Sequence, residues 1–268
     1  MEKFNVFSHI AERTGGSIYV GVVGPVRTGK STFIKRFMDL YVMPNITDVY
    51  LKERTRDELP QSGAGRTIST TEPKFVPDEP VEITFEENTR ARIRLVDCVG
   101  YTVASAKGYV DESGPRLVRT PWFEHPIPFQ EAAELGTRRV INEHSTIGLV
   151  VTTDGSIADL PRDDYLEPEG RVIEELQSLG KPFVVALNSI HPKSPETVAL
   201  AKQLSDKHGV TVIPIDCLRM TKEDILQLFG EVLMEFPLRE FNVRLPRWVE
   251  ELKPDHWLRQ AYEDLAWE

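Results

Sequence analysis

An eight-residue stretch near the start of the chain has the composition of a phosphate-binding loop. Residues 24–31 read Gly-Pro-Val-Arg-Thr-Gly-Lys-Ser and match the pattern G-x-x-x-x-G-K-[S/T]. Glycines let the backbone wrap around phosphates and aim its N–H groups at them, while Lys30 would reach the β- and γ-phosphates and Ser31 would bind Mg²⁺. The predicted nucleotide-binding residues are Gly24, Pro25, Val26, Arg27, Thr28, Gly29, Lys30, Ser31 and Thr32.

A second motif lies where a metal-binding carboxylate is expected. Asp97 follows the apolar run 93–96, and Asp97-Cys98-Val99-Gly100 fits the D-x-x-G pattern of GTPase-like proteins. We expect the Asp97 carboxylate to hold Mg²⁺ through water and the Gly100 N–H to contact the γ-phosphate. Tyr101 stands where many GTPases have the glutamine that orients the attacking water. Another group must therefore position the water, or hydrolysis is slow.

The polar segment before these residues contains candidates for closing the site. Thr70 and Thr71 are predicted to contact the γ-phosphate, with Thr70 as a further Mg²⁺ ligand, whereas Thr67 is the weaker candidate. Arg27 and Arg66 could stabilise transition-state charge as arginine fingers. A solvated surface arginine is the alternative interpretation of each.

The stretch that should recognise the base departs from the guanine code. G proteins end this strand in Asn-Lys-x-Asp, and the aspartate accepts hydrogen bonds from the guanine edge. Here the strand ends in Asn188-Ser189-Ile190-His191. Without the carboxylate, guanine discrimination has no evident source, because a site loses selectivity when one hydrogen-bond partner is missing. We therefore predict adenine, with Asn188 placed near the base by analogy with G proteins.

The elements that carry these motifs alternate between strands and helices. Apolar runs at 17–24, 81–85, 91–97, 146–154, 182–188 and 210–216 predict strands, and helical periodicity follows most of them. Ser194-Pro195 and Thr221 with Asp224 are helix-start signals. The pattern predicts an α/β fold with a mostly parallel central sheet and helices on both faces, that is, a P-loop NTPase of the GTPase-like (TRAFAC) type. Residues 44–80 and 98–128 are predicted to be long irregular loops.

Composition limits the classes of partner. The chain has 32 basic and 42 acidic residues among 268, for a net charge of −10, which argues against nucleic-acid binding. No apolar run approaches the length of a membrane span, and residues 1–16 lack the apolar core of a signal peptide. Cys98 and Cys217 are predicted to be reduced thiols. These features indicate a cytoplasmic protein.

The α/β pattern ends near residue 237. We therefore predict a P-loop ATPase domain at 1–237, and we interpret 238–268 as the start of a following region that is cut short. The last apolar residues, including Trp257 and Trp267, have helical spacing.

Several longer stretches resemble one known family. Residues 11–38, 57–77, 93–109, 143–157 and 245–259 are similar to the stage IV sporulation protein A family, whose members build the basement layer of the spore coat. The resemblance implies that the chain hydrolyses ATP with Mg²⁺ and that hydrolysis drives irreversible self-assembly. By matching position, it assigns catalytic roles to Lys30, Thr70, Thr71 and Asp97.

The resemblance also implies partners and a location. The family assembles on the forespore surface, in the mother-cell cytoplasm, where a small amphipathic membrane-anchoring protein recruits it and coat proteins follow. Its members continue past residue 268 into regions that serve polymer contacts and localisation.

Three other functions remain open at this stage. A GTPase switch would differ in base specificity, and a nucleotide-binding scaffold with negligible turnover would explain Tyr101. A small-molecule kinase would need a second substrate pocket and an arginine-rich lid, and we find neither cluster in the sequence.

Overall fold

The computed structural model describes residues 5–60, 73–84, 90–103, 105, 110–111, 114–120, 123, 125–237, 247–253 and 255–267. The chain divides into two compact units, Met1–Phe236 and Pro237–Glu268. Among the described residues, no helix has both the length and the apolar character needed to cross a membrane.

The first unit is built on a six-stranded sheet. Its order is β10-β9-β8-β1-β3-β2, with every neighbouring pair parallel except β2 and β3. The strands are β1 Ser17–Val23, β2 Lys74–Thr84, β3 Arg90–Asp97, β8 Ile147–Thr153, β9 Phe183–Asn188 and β10 Val212–Ile215. Two short antiparallel pairs lie outside it: β4 Val110–Asp111 with β5 Gly114–Pro115, and β6 Leu117–Val118 with β7 Ile127–Pro128.

Helices cover both faces of the sheet, as the sequence predicts. They are α1 Val6–Arg13, α2 Lys30–Phe37, α3 Val49–Asp57, α4 Phe129–Arg139, α5 Leu166–Leu179, α6 Pro195–His208 and α7 Lys222–Met234. Alternate strand residues point to opposite sides, so α1, α2 and α7 pack on one apolar layer, and α5, α6 and the π-helical turn Val140–His144 on the other. The buried residues of α4 pack against β6 and β7. The sheet is therefore buried on both faces, which explains the near-continuous apolar runs of β8 and β9.

The predicted loop at 44–80 is wrong in two places. Asp48 caps α3, since its carboxylate accepts bonds from the N–H groups of Tyr50 and Leu51. The helix buries only Thr55, so it shows almost no apolar periodicity. Strand β2 begins at Lys74, and its pairing with β3 shifts register between Val76 and Val81, which breaks the alternation expected of a strand.

The helix signals in the second half of the chain are confirmed. Ser194 caps α6, which begins with Pro195, and Thr221 forms a capping box with Asp224 at the start of α7. Sequence analysis did not predict α1, where the Asn5 side chain caps the helix.

The described residues of the second unit form two helices, α8 Arg247–Glu250 and α9 Trp257–Trp267. The rings of Trp248 and Tyr262 meet edge to face, and the Arg259 guanidinium donates to the Leu252 carbonyl at 2.9 Å. The helical spacing of the last apolar residues is confirmed by α9.

Candidate nucleotide site

The predicted phosphate loop lies between the carboxyl end of β1 and the start of α2. Gly24 has φ 137° and Gly29 has φ 97°, conformations that residues with a Cβ rarely adopt. A Cβ at Gly24 would lie 2.2 Å from the carbonyl oxygen of Val151, and one at Gly29 would lie 2.2 Å from Nδ2 of Asn188. Both positions require glycine because of strain and because of close packing.

Lys30 is the first residue of α2 and its side chain is buried. No side chain caps this helix, so its first backbone N–H groups are left for a ligand. The Lys30 ammonium donates to the carbonyl oxygens of Pro25 at 2.7 Å and Gly24 at 3.2 Å. Burial lowers the pKa of Lys30 to about 8, although the negative charge of Asp97 opposes that shift. The half-buried Thr32 follows in the same helical turn.

Ser31 and Asp97 come together beside this ammonium group. The Ser31 hydroxyl donates to Oδ2 of Asp97 at 2.7 Å. Burial raises the pKa of the Asp97 carboxyl, while the bond from Ser31 and the charge of Lys30 oppose the rise. The two oxygen groups fit Mg²⁺, which is usually held by one or two carboxylates together with substrate phosphates. Within the described part of the chain, no cluster of three or more His, Cys, Asp or Glu residues forms a closed metal cage.

The segment after Asp97 is attached directly to the phosphate loop. The Tyr101 N–H donates to the Gly24 carbonyl at 3.2 Å, and the Val26 N–H donates to the Tyr101 carbonyl at 2.8 Å. Gly100 has φ 89°, and a Cβ there would lie 2.4 Å from Nζ of Lys30. The two backbone bonds of Tyr101 therefore hold the adjacent Gly100 against Lys30.

The side chain of Tyr101 points away from this site. Its ring is buried, its hydroxyl hydrogen-bonds the carboxylate of Glu175 in α5, and the Arg171 guanidinium lies 5.7 Å from the ring centre. Arg138 in α4 pairs with the same Glu175 carboxylate. A side chain engaged in this way does not orient a water molecule next to Gly100.

Asn188 lies beside the phosphate loop and its side chain bonds to the loop backbone. Its Nδ2 donates to the Thr28 carbonyl at 2.9 Å, and its Oδ1 accepts from the Cys217 N–H at 3.0 Å. The side chain thus joins three loops at the carboxyl edge of the sheet. The prediction that Asn188 lies near the base stays a prediction, and the sequence did not indicate either of these two partners.

The loop after β9 is held by hydroxyl groups around Asp154, which follows β8. Oδ1 of Asp154 accepts from the Ser156 N–H at 2.9 Å and from the Ser156 hydroxyl at 2.6 Å. Burial raises the pKa of Asp154, but bonds from Ser156, Ser189 and Thr197 outweigh it and leave the pKa low. Ser189 is buried and His191 is exposed. The sequence missed this cluster because a single strand-ending aspartate usually only forms a turn.

The structure brings together the predicted residues of the phosphate loop, Asp97, Gly100 and Asn188. Thr67, Thr70, Thr71 and Arg66 lie outside the described residues, so their predicted roles stay predictions. Cys98 and Cys217 are free and buried, which agrees with the predicted reduced thiols.

A family model for the ATPase domain of stage IV sporulation protein A matches residues 1–237. The chain belongs to the stage IV sporulation protein A family. It is 57% identical over 264 residues to the protein of that name from Bacillus subtilis (strain 168), and 51% identical over 257 residues to that from Clostridioides difficile (strain 630). These alignments cover 98% and 96% of the chain. They cover 54% and 52% of the relatives, so the chain spans about half the length of the stage IV sporulation proteins it matches.

The similarity to solved structures is lower. A crystal structure of a variant of SsGBP aligns with 84% of this chain and 59% of its own, at 16% identity and a TM-score of 0.44. The FeoB G-domain from Methanococcus jannaschii aligns with 81% of this chain and 98% of its own, at 16% identity and a TM-score of 0.38. The mostly parallel sheet, the phosphate loop after β1 and Asp97 at the end of β3 are those of a P-loop NTPase of the GTPase-like type.

Proposed function

We propose that this chain binds ATP with Mg²⁺ and hydrolyses it, and that hydrolysis drives self-assembly of the basement layer of the spore coat. The observation that carries the proposal is the Ser31–Asp97 hydrogen bond at the uncapped start of α2, within electrostatic range of the buried Lys30 ammonium. A cation, two oxygen ligands and a helix N-terminus together suit a triphosphate and its metal. The ATPase-domain description of the family supports the same reaction.

Each residue has a role in this proposal. The Lys30 ammonium would leave the Gly24 and Pro25 carbonyls to bind the β- and γ-phosphates, and the Gly100 N–H would contact the γ-phosphate. Ser31 and Asp97 would hold Mg²⁺, with Thr70 as a further ligand, and the metal would neutralise charge on the phosphate oxygens. Thr71 would close over the γ-phosphate beside Thr70.

The choice of ATP over GTP rests on the base loop. Guanine recognition needs a carboxylate that accepts from the base edge, and the position expected to supply it holds His191. Asp154 is the carboxylate next to that loop, and its oxygens already accept from Ser156 and Thr197. Guanine would therefore gain no hydrogen bond to a free carboxylate at this loop, so the loop gives guanine no advantage over adenine.

We extend the proposal to domains, location and partners. Residues 1–237 would form the ATPase domain, and 238–268 would begin the following region. The protein would act in the mother-cell cytoplasm at the forespore surface, where it would contact further copies of itself, a small amphipathic membrane-anchoring protein and coat proteins. The names of the relatives support a role in sporulation.

One observation favours a second candidate, a nucleotide-binding scaffold with negligible turnover. The Tyr101 side chain is bonded to Glu175 in α5, so it leaves the attacking water without the partner that a glutamine provides in many GTPases.

Phosphate release measured separately with ATP and with GTP tests the proposal. We expect Mg²⁺-dependent phosphate release from ATP that exceeds release from GTP. In a sedimentation assay, polymer should pellet only in samples in which ATP is hydrolysed. Tight ATP binding without release would favour the scaffold, and equal or faster release from GTP would contradict the base assignment. Release that required an added acceptor molecule would identify a kinase.

A further inference from the structure

The Tyr101 side chain is held by residues of α4 and α5. Its hydroxyl donates to Oε2 of Glu175, while Nε of Arg138 donates to Oε1 of the same carboxylate. The Arg171 guanidinium lies 5.7 Å from the centre of the Tyr101 ring and is itself paired with Glu134 at 2.8 Å. Because both oxygens of Glu175 are engaged and its side chain is only 11% exposed, this carboxylate fixes the position of the tyrosine hydroxyl.

The backbone of the same residue belongs to the nucleotide site. The Tyr101 N–H donates to the Gly24 carbonyl, and the Tyr101 carbonyl accepts from the Val26 N–H, so both backbone groups are bonded to the phosphate loop. That loop must accommodate the phosphates, whereas the buried face of α5 packs in the apolar core. The Tyr101 side chain therefore ties the site to a rigid element.

Gly100, which precedes Tyr101, depends on its neighbours for its orientation. Its φ is 89°, and glycine adopts many other conformations at similar cost. A Cβ on Gly100 would lie 2.4 Å from Nζ of Lys30, so the residue lies against the ammonium that would bind the phosphates. If Tyr101 moved, little in Gly100 itself would keep its N–H at that point.

Packing alone does not account for the bond between Tyr101 and Glu175. The tyrosine ring belongs to an apolar cluster that includes Val96 and Val172, and a phenylalanine would fill the same space. Burial of a carboxylate beside that ring costs free energy that an apolar residue would avoid. What a polar network with satisfied partners provides instead is one fixed arrangement of its side chains.

We propose that Glu175 is a positioning residue that acts through the Tyr101 hydroxyl and holds Gly100 where its N–H contacts the γ-phosphate. Glu175 itself touches neither the nucleotide nor the metal. Its effect is therefore confined to nucleotides that carry a γ-phosphate and is greatest when charge on the phosphoryl oxygens changes in the transition state. This inference rests on the proposed function, in which Gly100 binds the γ-phosphate.

Two substitutions break the contact from either side. Tyr101→Phe removes the hydroxyl but keeps the ring and the backbone bonds, and Glu175→Ala removes the carboxylate. The double variant shows whether the two groups act as one unit, because the second change should then add no further loss. Tyr50→Phe, in an exposed position of α3, and Glu174→Ala, at the exposed residue next to Glu175, are the matched controls.

The measurements are the unfolding midpoint, phosphate release from ATP, and the affinities for ADP and for β,γ-imido-ATP, each with Mg²⁺. The imido analogue keeps a γ-phosphate but is not hydrolysed. For Tyr101→Phe we expect unchanged ADP affinity and a loss of about tenfold in the preference for the analogue over ADP, as for one hydrogen bond to a charged group. Release at saturating ATP should fall by about 10–100-fold, because small errors in a reacting geometry cost that much. Glu175→Ala and the double variant should show the same losses, and both controls should match wild type.

The outcomes distinguish a positioning role from a structural one. A change that only loosened the fold would lower the unfolding midpoint and weaken the binding of ADP and of the analogue equally, and that result would overturn the inference. A wild-type preference for the analogue in Tyr101→Phe would also overturn it, and so would losses that add in the double variant. If Glu175→Ala does not fold, Tyr101→Phe decides the question alone.

The same measurements separate this inference from the function on which it rests. If wild type prefers the analogue to ADP but releases no phosphate, and Tyr101→Phe loses that preference, the positioning role stands while the ATPase proposal fails. If wild type releases phosphate without preferring the analogue, the ATPase proposal stands and the positioning role fails. Absence of both release and preference in wild type would refute both.

Discussion

The Ser31 hydroxyl and the Asp97 carboxylate are 2.7 Å apart although they are 66 positions apart in the chain. Strands β1 and β3 are parallel neighbours, with Val22 opposite Asp97, so both motifs reach the same edge of the sheet. Ser31 lies in the first turn of α2, where its hydroxyl faces the Asp97 carboxylate. The parallel pairing of these two strands brings two separate stretches of sequence together at the proposed magnesium site.

Replacement of Lys30 by alanine should abolish nucleotide binding. The change removes charge-assisted bonds to phosphate worth about 3 kcal/mol or more together, which corresponds to over ~100-fold in affinity. Titration of the purified chain with a fluorescent ATP analogue measures this directly. Lys35→Ala is the matched control, because Lys35 is exposed one turn further along α2. Unaltered ATP affinity in Lys30→Ala would refute the assignment of the phosphate loop.

Asp97→Asn should weaken Mg²⁺-dependent turnover more than ATP binding. The amide oxygen can still accept the bond from Ser31, but the charge that attracts the metal is lost, and a loss of about 10–100-fold is typical for groups that act on a metal through water. Release rates across a Mg²⁺ series, beside ATP affinity, provide the measurement. Asp39→Asn changes an exposed carboxylate and should leave both values unchanged. Equal rates for wild type and Asp97→Asn at limiting Mg²⁺ would exclude this role.

Gly100→Ala should cost both stability and nucleotide binding. Its Cβ would lie 2.4 Å from Nζ of Lys30 and 2.7 Å from the Gly24 carbonyl oxygen, in addition to the strain of φ 89°. Gly180→Ala isolates the strain, because Gly180 has φ 62° and nothing within 4 Å of the added carbon. We expect Gly180→Ala to lower the free energy of unfolding by roughly 1–2 kcal/mol with ATP affinity intact. An ATP affinity that was equal in the two variants would contradict the close approach of Gly100 to Lys30.

The pKa of Lys30 leads to a pH dependence with opposite signs for stability and for binding. Its folded pKa of about 8 lies below the ordinary 10.5, so between these values the unfolded chain binds more protons than the folded one. The free energy of unfolding of the nucleotide-free protein should therefore gain from this group as pH rises through that window. ATP affinity should fall over the same range, because the neutral amine no longer pairs with phosphate.

Denaturant unfolding and ATP titrations at pH 7, 8 and 9 test this pair of trends. The stability difference between wild type and Lys30→Met should change with pH, because the variant lacks the titrating group. If ATP affinity stayed constant from pH 7 to pH 9, the lowered pKa of Lys30 would have no part in binding.

Local sequence was sufficient for the elements whose signals are themselves local. The glycines of residues 24–31, the proline at the start of α6 and the Thr221–Asp224 capping box act within one turn of the chain, so composition and spacing identify them. By contrast, α3 buries one residue and presents almost no periodicity, and β2 changes register in its middle. The sequence predicted only the second part of β2, at 81–85, because contacts with other elements decide α3 and the first part of β2.

The sequence by itself determined that a phosphate loop exists, that Asp97 ends a strand, and that the aspartate expected to read guanine is replaced by His191. Only the tertiary structure decided that Asn188 supports Thr28 and Cys217, that Tyr101 faces Glu175, and that Arg27 is held at positive φ. The reason is the range of the forces involved. Motif chemistry depends on neighbours along the chain, whereas the direction of a side chain and the strain of a backbone depend on packing between strands and helices that are far apart in sequence.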